Sequence, residues 1–188
     1  MNTVRGMITI CVALILIRCS IDNLAGATSE TTNGVVATAN GTPAAGALVR
    51  IVSADFLHDG NMVLDSARTD SLGRFTVPHR EWGKTVNFQI DHSEGALLVR
   101  SFSGAGSEAF VLQKHGAYRG EIQSAMHKAD SAYLVGTAYR VAVEATGSYN
   151  FGPIAPGTYP VLFEVAEGLS TTYALNTTID LKAGDVAA

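Results

Sequence analysis

Arg68-Thr69-Asp70-Ser71-Leu72-Gly73-Arg74-Phe75-Thr76-Val77 is the stretch whose reading decides the fold. Asp70 to Gly73 has the chemistry of a tight turn. The Asp70 carboxylate can accept from the backbone two residues on, and Gly73 enters the left-handed region without a Cβ clash. Beyond the turn, polar and apolar residues alternate, so Phe75 and Val77 share one face of an extended strand. Slipping the pairing by one residue would turn Phe75 to water. Turn and aromatic together therefore set a hairpin register.

The same grammar continues on both sides. Upstream, Val35-Val36-Ala37-Thr38 reads as a short strand, and Asn40-Gly41-Thr42-Pro43-Ala44-Ala45-Gly46 as a turn. Residues 47–53 (ALVRIVS) alternate, with Leu48 and Arg50 on one face and Val49 and Ile51 on the other. A polar loop at 55–61 precedes an extended stretch at 62–69, and 85–90, 96–102 and 108–112 complete a first set of strands. A second set begins near Tyr118, with strands expected at 118–123, 132–135, 139–145 and 149–151. Pro153 to Gly157 then forms a turn, 159–165 (YPVLFEV) a strong apolar strand, and 172–181 one or two closing strands. Past the first 20 residues no stretch holds a helical stripe of three turns, and 121–129 is expected to be loop or a single turn.

Composition agrees with a core-forming β protein. The chain has 188 residues, 47% apolar and 16% charged, with 19 glycines spread among short apolar runs. The formal net charge is −4 and no run of Lys and Arg exceeds two neighbours, which argues against nucleic acid as a partner. Cys11 and Cys19 both lie in the first 20 residues, leaving the rest without a disulfide framework or a thiolate metal site.

The two halves share an order of events. Residues 68–75 align with Val143-Glu144-Ala145-Thr146-Gly147-Ser148-Tyr149, and each half then carries an aromatic strand, a second turn and a long apolar strand. Pro43-Ala44-Ala45-Gly46-Ala47-Leu48-Val49 with Thr69 to Phe75 resembles the carboxypeptidase regulatory-like, or prealbumin-like, domains. Those domains follow a P-x-x-G-A-x-V strand with a T-D-x-x-G-x-F turn and then P-x-G-x-Y. Pro156-Gly157-Thr158-Tyr159 matches the last element in the second half, which lacks the early proline turn, while the first half has 78–84 in place of the late motif. The resemblance covers most of 34–182 and implies sandwiches of seven or eight strands with no catalytic apparatus. Asp70, Gly73, Phe75, Gly147, Pro156, Gly157 and Tyr159 then serve as structural turn residues. One variant of the family joins its first and last strands by a Lys–Asn bond; the first strands here offer no lysine, only Arg119 in the second half.

The N-terminus reads as a targeting segment. Met7 to Ile17 is an apolar run of eleven residues, a signal-peptide length well short of the ~20 needed to span a bilayer. The run ends at Arg18 and Cys19, which resembles the lipobox of bacterial lipoproteins, with Leu16 and Ile17 in its apolar positions. The resemblance implies acylation of Cys19 as a membrane anchor, and Ser20 resembles the residue that permits transfer to an outer membrane. The family has a small residue where this chain has Arg18. Cleavage after Ala27, within Ala25-Gly26-Ala27, is the rival reading, giving a secreted protein; an uncleaved anchor is a third. Residues 1–18 are thus expected as signal, 19–33 as polar tether, 34–114 as a first sandwich and 115–184 as a second, with a single fused sandwich as the alternative.

Chemistry is sparse. His58, His79, His92, His115 and His127 have no second His or Cys at zinc-ligand spacing. The groups Asp55, His58, Asp59 and Asp91, His92, Glu94 lack the alternating oxygen spacing of a calcium loop. No Gly-x-Ser-x-Gly elbow or phosphate loop is present. The chain is therefore expected to be a non-catalytic envelope module without cofactors, partnered by other envelope proteins. Binding of polysaccharide is the alternative, with Trp82 as the best stacking platform and Tyr133, Tyr139 and Tyr173 behind it. A buried Trp82 would favour the first reading, an exposed one the second.

Overall fold

The computed structural model describes residues 30–55, 62–79, 85–102, 106–122, 129–167 and 170–187, with the side chains of 30, 79, 106 and 166–176 outside that description. The described residues form strands and no helix. Seven strands make a first sandwich: β1 (Glu30–Ala37), β2 (Leu48–Ser53), β3 (Val63–Arg68), β4 (Arg74–His79), β5 (Val86–His92), β6 (Gly95–Phe102) and β7 (Gly106–Val111). One sheet runs β4-β1-β7 and the other β3-β2-β5-β6. Alternation does the sorting: Val49 and Ile51 on β2, Phe75 and Val77 on β4, and Phe88 and Ile90 on β5 all turn inward. Phe75, Phe88, Phe102 and Phe110 meet at the centre with ring centroids 4.5–6.5 Å apart.

The second sandwich repeats this topology strand for strand. It comprises β8 (Gly116–Glu121), β9 (Ser131–Leu134), β10 (Arg140–Ala142), β11 (Ser148–Ile154), β12 (Gly157–Glu167), β13 (Ser170–Leu181) and β14 (Val186–Ala187). Its sheets run β11-β8-β14 and β10-β9-β12-β13. In both, the first strand is central in the three-stranded sheet, antiparallel to the fourth strand and parallel to the last. The second core gathers Leu134, Tyr149, Phe151, Tyr159, Val161 and Phe163. The tandem all-β architecture read from the sequence is the one present, and no strand pairs across the two sandwiches among the described residues.

Equivalent turns anchor the repeat. Asp70 Oδ1 accepts from the N–H groups of Leu72 and Arg74, both at 2.8 Å, and Gly73 sits at φ 73°. In the second copy Glu144 N donates to Ser148 O (2.8 Å), as Asp70 N does to Arg74 O (2.8 Å), and Gly147 sits at φ 90°. Each turn delivers an aromatic onto a glycine of the neighbouring strand: Phe75 pairs with Gly34, and Tyr149 with Gly120. A Cβ on Gly34 would lie 2.7 Å from the Phe75 ring, and one on Gly120 would collide with the tip of Tyr149. The glycines leave the room the rings occupy.

Several boundaries differ from the sequence reading. β1 starts at Glu30, so 30–33, expected in the tether, belong to the first sandwich. Thr32 is fully buried there although its hydroxyl conceals it from a search for apolar residues. The alternating stretch 139–145 contributes only the three-residue β10, because Tyr139 turns to the other sandwich and Glu144 opens a turn. The last stretch forms one strand, β13, with a register shift in its pairing at Val161/Leu162. The closing strand β14 lies past the expected bound of 184.

Candidate functional site

The most elaborate side-chain chemistry lies between the sandwiches. Val86, Phe88 and Ile90 of β5 face their own core, so Asn87, Gln89 and Asp91 form a polar row on its other face. That row meets the turn between β9 and β10. Asn87 Nδ2 donates to Gly136 O (2.7 Å), and Asn87 Oδ1 accepts from Ser101 N (3.0 Å). Ser101 has φ 54°, a left-handed conformation uncommon outside glycine that this bond helps hold. Gln89 Oε1 accepts from Ala138 N (2.7 Å), while its Nε2 donates to Asp91 Oδ2 (2.7 Å).

Asp91 is the hub. Its Oδ2 also accepts from Arg50 Nη1 (2.6 Å), and its Oδ1 from the Tyr139 hydroxyl (2.6 Å). The Tyr139 oxygen accepts in turn from Ala155 N (2.9 Å). Burial, reinforced by the Asp91 charge, pushes the Tyr139 hydroxyl far above the ordinary tyrosine range, so it stays a donor. Asn87 and Gln89 are 2% and 0% exposed, a costly place for amides unless both ends are bonded, as here. Beside the row, Arg100 Nη2 donates to Thr158 O (2.7 Å) and its guanidinium lies 5.4 Å from the Tyr159 ring centroid. Leu98 of β6 packs on the second core.

Two clefts flank this joint. One of about 360 Å³ is bordered by Arg50, Tyr139, Arg140 and Pro153, the other of about 560 Å³ by Arg68, His92, His115 and Pro153. Arg50 is neutralised by Asp91, and Arg140 by Glu164 at 3.2 Å. Among the described residues no group of three His, Cys, Asp or Glu is placed to hold a metal ion. The arrangement is built to hold two bodies together.

The residues singled out from sequence fall in different places. Asp70, Gly73 and Phe75, with Gly147 in the other copy, form the repeated turn. Pro156 and Gly157 lead into β12, and Tyr159, fully buried, donates to Ala155 O (2.6 Å) across that turn. Tyr133 is 4% exposed, its hydroxyl donates to Glu164, and the Arg140 guanidinium lies 5.0 Å from its ring centroid, which leaves no open face for a sugar. Tyr139 gives its hydroxyl to the joint, and the residue is half-buried at the border of the smaller cleft. Tyr173 lies on β13 opposite Glu164, with its side chain outside the description. Cys19, Arg18, Ala27, His58, Asp59, Trp82 and His127 lie outside the described residues. Sequence reasoning missed Asn87, Gln89 and Arg100. Three alternating polar residues look the same whether their face meets water or another domain.

No protein-family model matches the chain, and no curated protein matches it. Among solved structures the chain is similar to the Streptococcal ancillary pilin, at 11% identity and a TM-score of 0.29, over 86% of this chain and 62% of that one. It is also similar to the Bacillus anthracis TIE protein, at 13% identity and a TM-score of 0.29, over 84% of this chain and 33% of that one. The chain thus spans less than two thirds of either structure, and these likenesses bear on no residue's role.

Proposed function

We propose that the chain is a non-catalytic structural or accessory module of the bacterial cell envelope, of carboxypeptidase regulatory-like character, exported and held at the outer membrane through acylated Cys19. The observation that carries the reading is the joint. Two like sandwiches linked by a fully bonded polar row form a stiff tandem rather than beads on a string, and stiffness suits a spacer or a display element. Metabolic labelling with palmitate tests the anchor. Incorporation that is lost in Cys19→Ser supports it, whereas equal labelling of both proteins, or release into the medium as a form starting at Thr28, overturns it.

The role is tested by co-sedimentation with insoluble cellulose, xylan and peptidoglycan beside a Trp82→Ala control. No retention on any polymer is the result expected of a spacer or protein-binding module. Retention that Trp82→Ala abolishes would instead establish a polysaccharide-binding protein.

A further inference from the structure

The two clefts beside the joint differ in what their cations have left to offer. In the smaller, Arg50 is paired with Asp91 and Arg140 with Glu164. In the larger, of about 560 Å³, Arg68 meets no carboxylate among the described residues. Its Nη1 donates to Gly46 O (2.9 Å), which ties the guanidinium to the cleft border and leaves the Nε and Nη2 hydrogens unused there. Asp91 is the acidic residue of this lining, and both its oxygens are taken, Oδ2 by Arg50 and Gln89 and Oδ1 by Tyr139. Arg68 is thus an uncompensated positive charge at a concave site, in a chain whose formal net charge is −4.

The rest of the lining is rich in donors and poor in free acceptors. The carbonyls of Gly46 and Ala45 already face Arg68 and His92. His92 accepts at Nδ1 from Glu94 N and turns Nε2 to Ala45 O, both at 3.2 Å, so both its nitrogens are engaged. His115, half-buried between β7 and β8, and Ser93, which is exposed, make no side-chain hydrogen bond among the described residues. Gly46 and Leu48 come from the first sandwich and Pro153 from the second. Concavities of this size between domains are favoured places for small ligands.

We infer that this cleft binds an oxyanion, the carboxylate or phosphate group of a small ligand, on Arg68, with His115 and Ser93 as further donors. A guanidinium presents a planar fork that matches two oxygens of either group, and the lining holds no free carboxylate to compete for it. A neutral ligand would leave that charge unanswered. The bound molecule would touch both sandwiches and so brace the joint from outside.

The probes are D-glucuronate and inorganic phosphate, titrated into the full-length protein by calorimetry, with D-glucose as the neutral control. The expected result is saturable binding of at least one anion and none of glucose, weakening as salt is raised. The anion that binds tells a carboxylate site from a phosphate site. Arg68→Gln, at an exposed position, is expected to leave the melting temperature unchanged and weaken binding about tenfold or more. His115→Ala, which leaves Arg68 in place, weakens binding from the other side of the ligand. Saturation by neither anion, equal binding of glucose, or wild-type affinity in either variant overturns the inference.

Discussion

Gly34 and Gly120 are the residues at which the repeat is most exposed to a single methyl group. A Cβ at Gly34 would meet the Phe75 ring at 2.7 Å and the Glu108 carbonyl oxygen at 2.9 Å, and that backbone oxygen cannot step aside. At Gly120 the obstacle is the far end of Tyr149, which can swing. Alanine recovers about 0.5–1 kcal/mol of backbone entropy in a strand, whereas overpacking costs about 1–3 kcal/mol. Gly34→Ala is therefore expected to be destabilising, and by more than Gly120→Ala, in urea denaturation; the reverse order would contradict the packing account. Asp70 carries a second test. The Arg74 N–H bond, opposed in part by desolvation and helped by the Leu72 N–H and the Arg74 charge, holds its carboxyl below the usual range. A depressed pKa contributes stability above the unfolded value and loses it as pH falls through the folded one. Thermal melts of wild type and Asp70→Asn should differ at pH 6 and converge below about pH 4. A constant gap would remove the carboxylate from the turn's energetics.

Elements are held together by their outward faces as much as by their cores. β5 is the case in point: its inward row was legible as alternation, while its outward row became a joint only because the turn from 135 to 139 comes to rest against it. Removing Asn87 and Gln89 side chains strands the Gly136 carbonyl and the Ala138 N–H, and a buried unpaired group costs about 1–3 kcal/mol. The double variant Asn87→Ala/Gln89→Ala is expected to keep both sandwiches folded yet let them reorient. Nuclear spin relaxation should then report two tumbling times where wild type gives one. A single time in both proteins would assign the rigidity elsewhere.

At the scale of the whole molecule, buried phenols set an alkaline limit. Burial is the first cause that raises the pKa of Tyr139, Tyr149 and Tyr159 above the usual value of about 10. A raised pKa gives stability that is complete below the unfolded value and is lost as pH climbs toward the folded one. Stability should hold to about pH 10 and fall beyond it, with tyrosinate absorbance from these three rising only with unfolding. Ionisation of all tyrosines near pH 10 in a folded protein would refute their burial. The joint ties two of the three phenols to contacts between sandwiches, so the alkaline transition should loosen both bodies together. Local chemistry along the chain was enough for the all-β class, the Asp70–Gly73 turn, its counterpart at Gly147 and the inward setting of Phe75, because period-two alternation and turn residues act over a few positions. Which residues of like polarity meet water and which meet another sheet depends on partners 40 or more positions away, as with Asn87 and Gly136. The joint and the burial of Thr32 and Tyr133 therefore emerge only when the strands are assembled, since each depends on a neighbour distant along the chain.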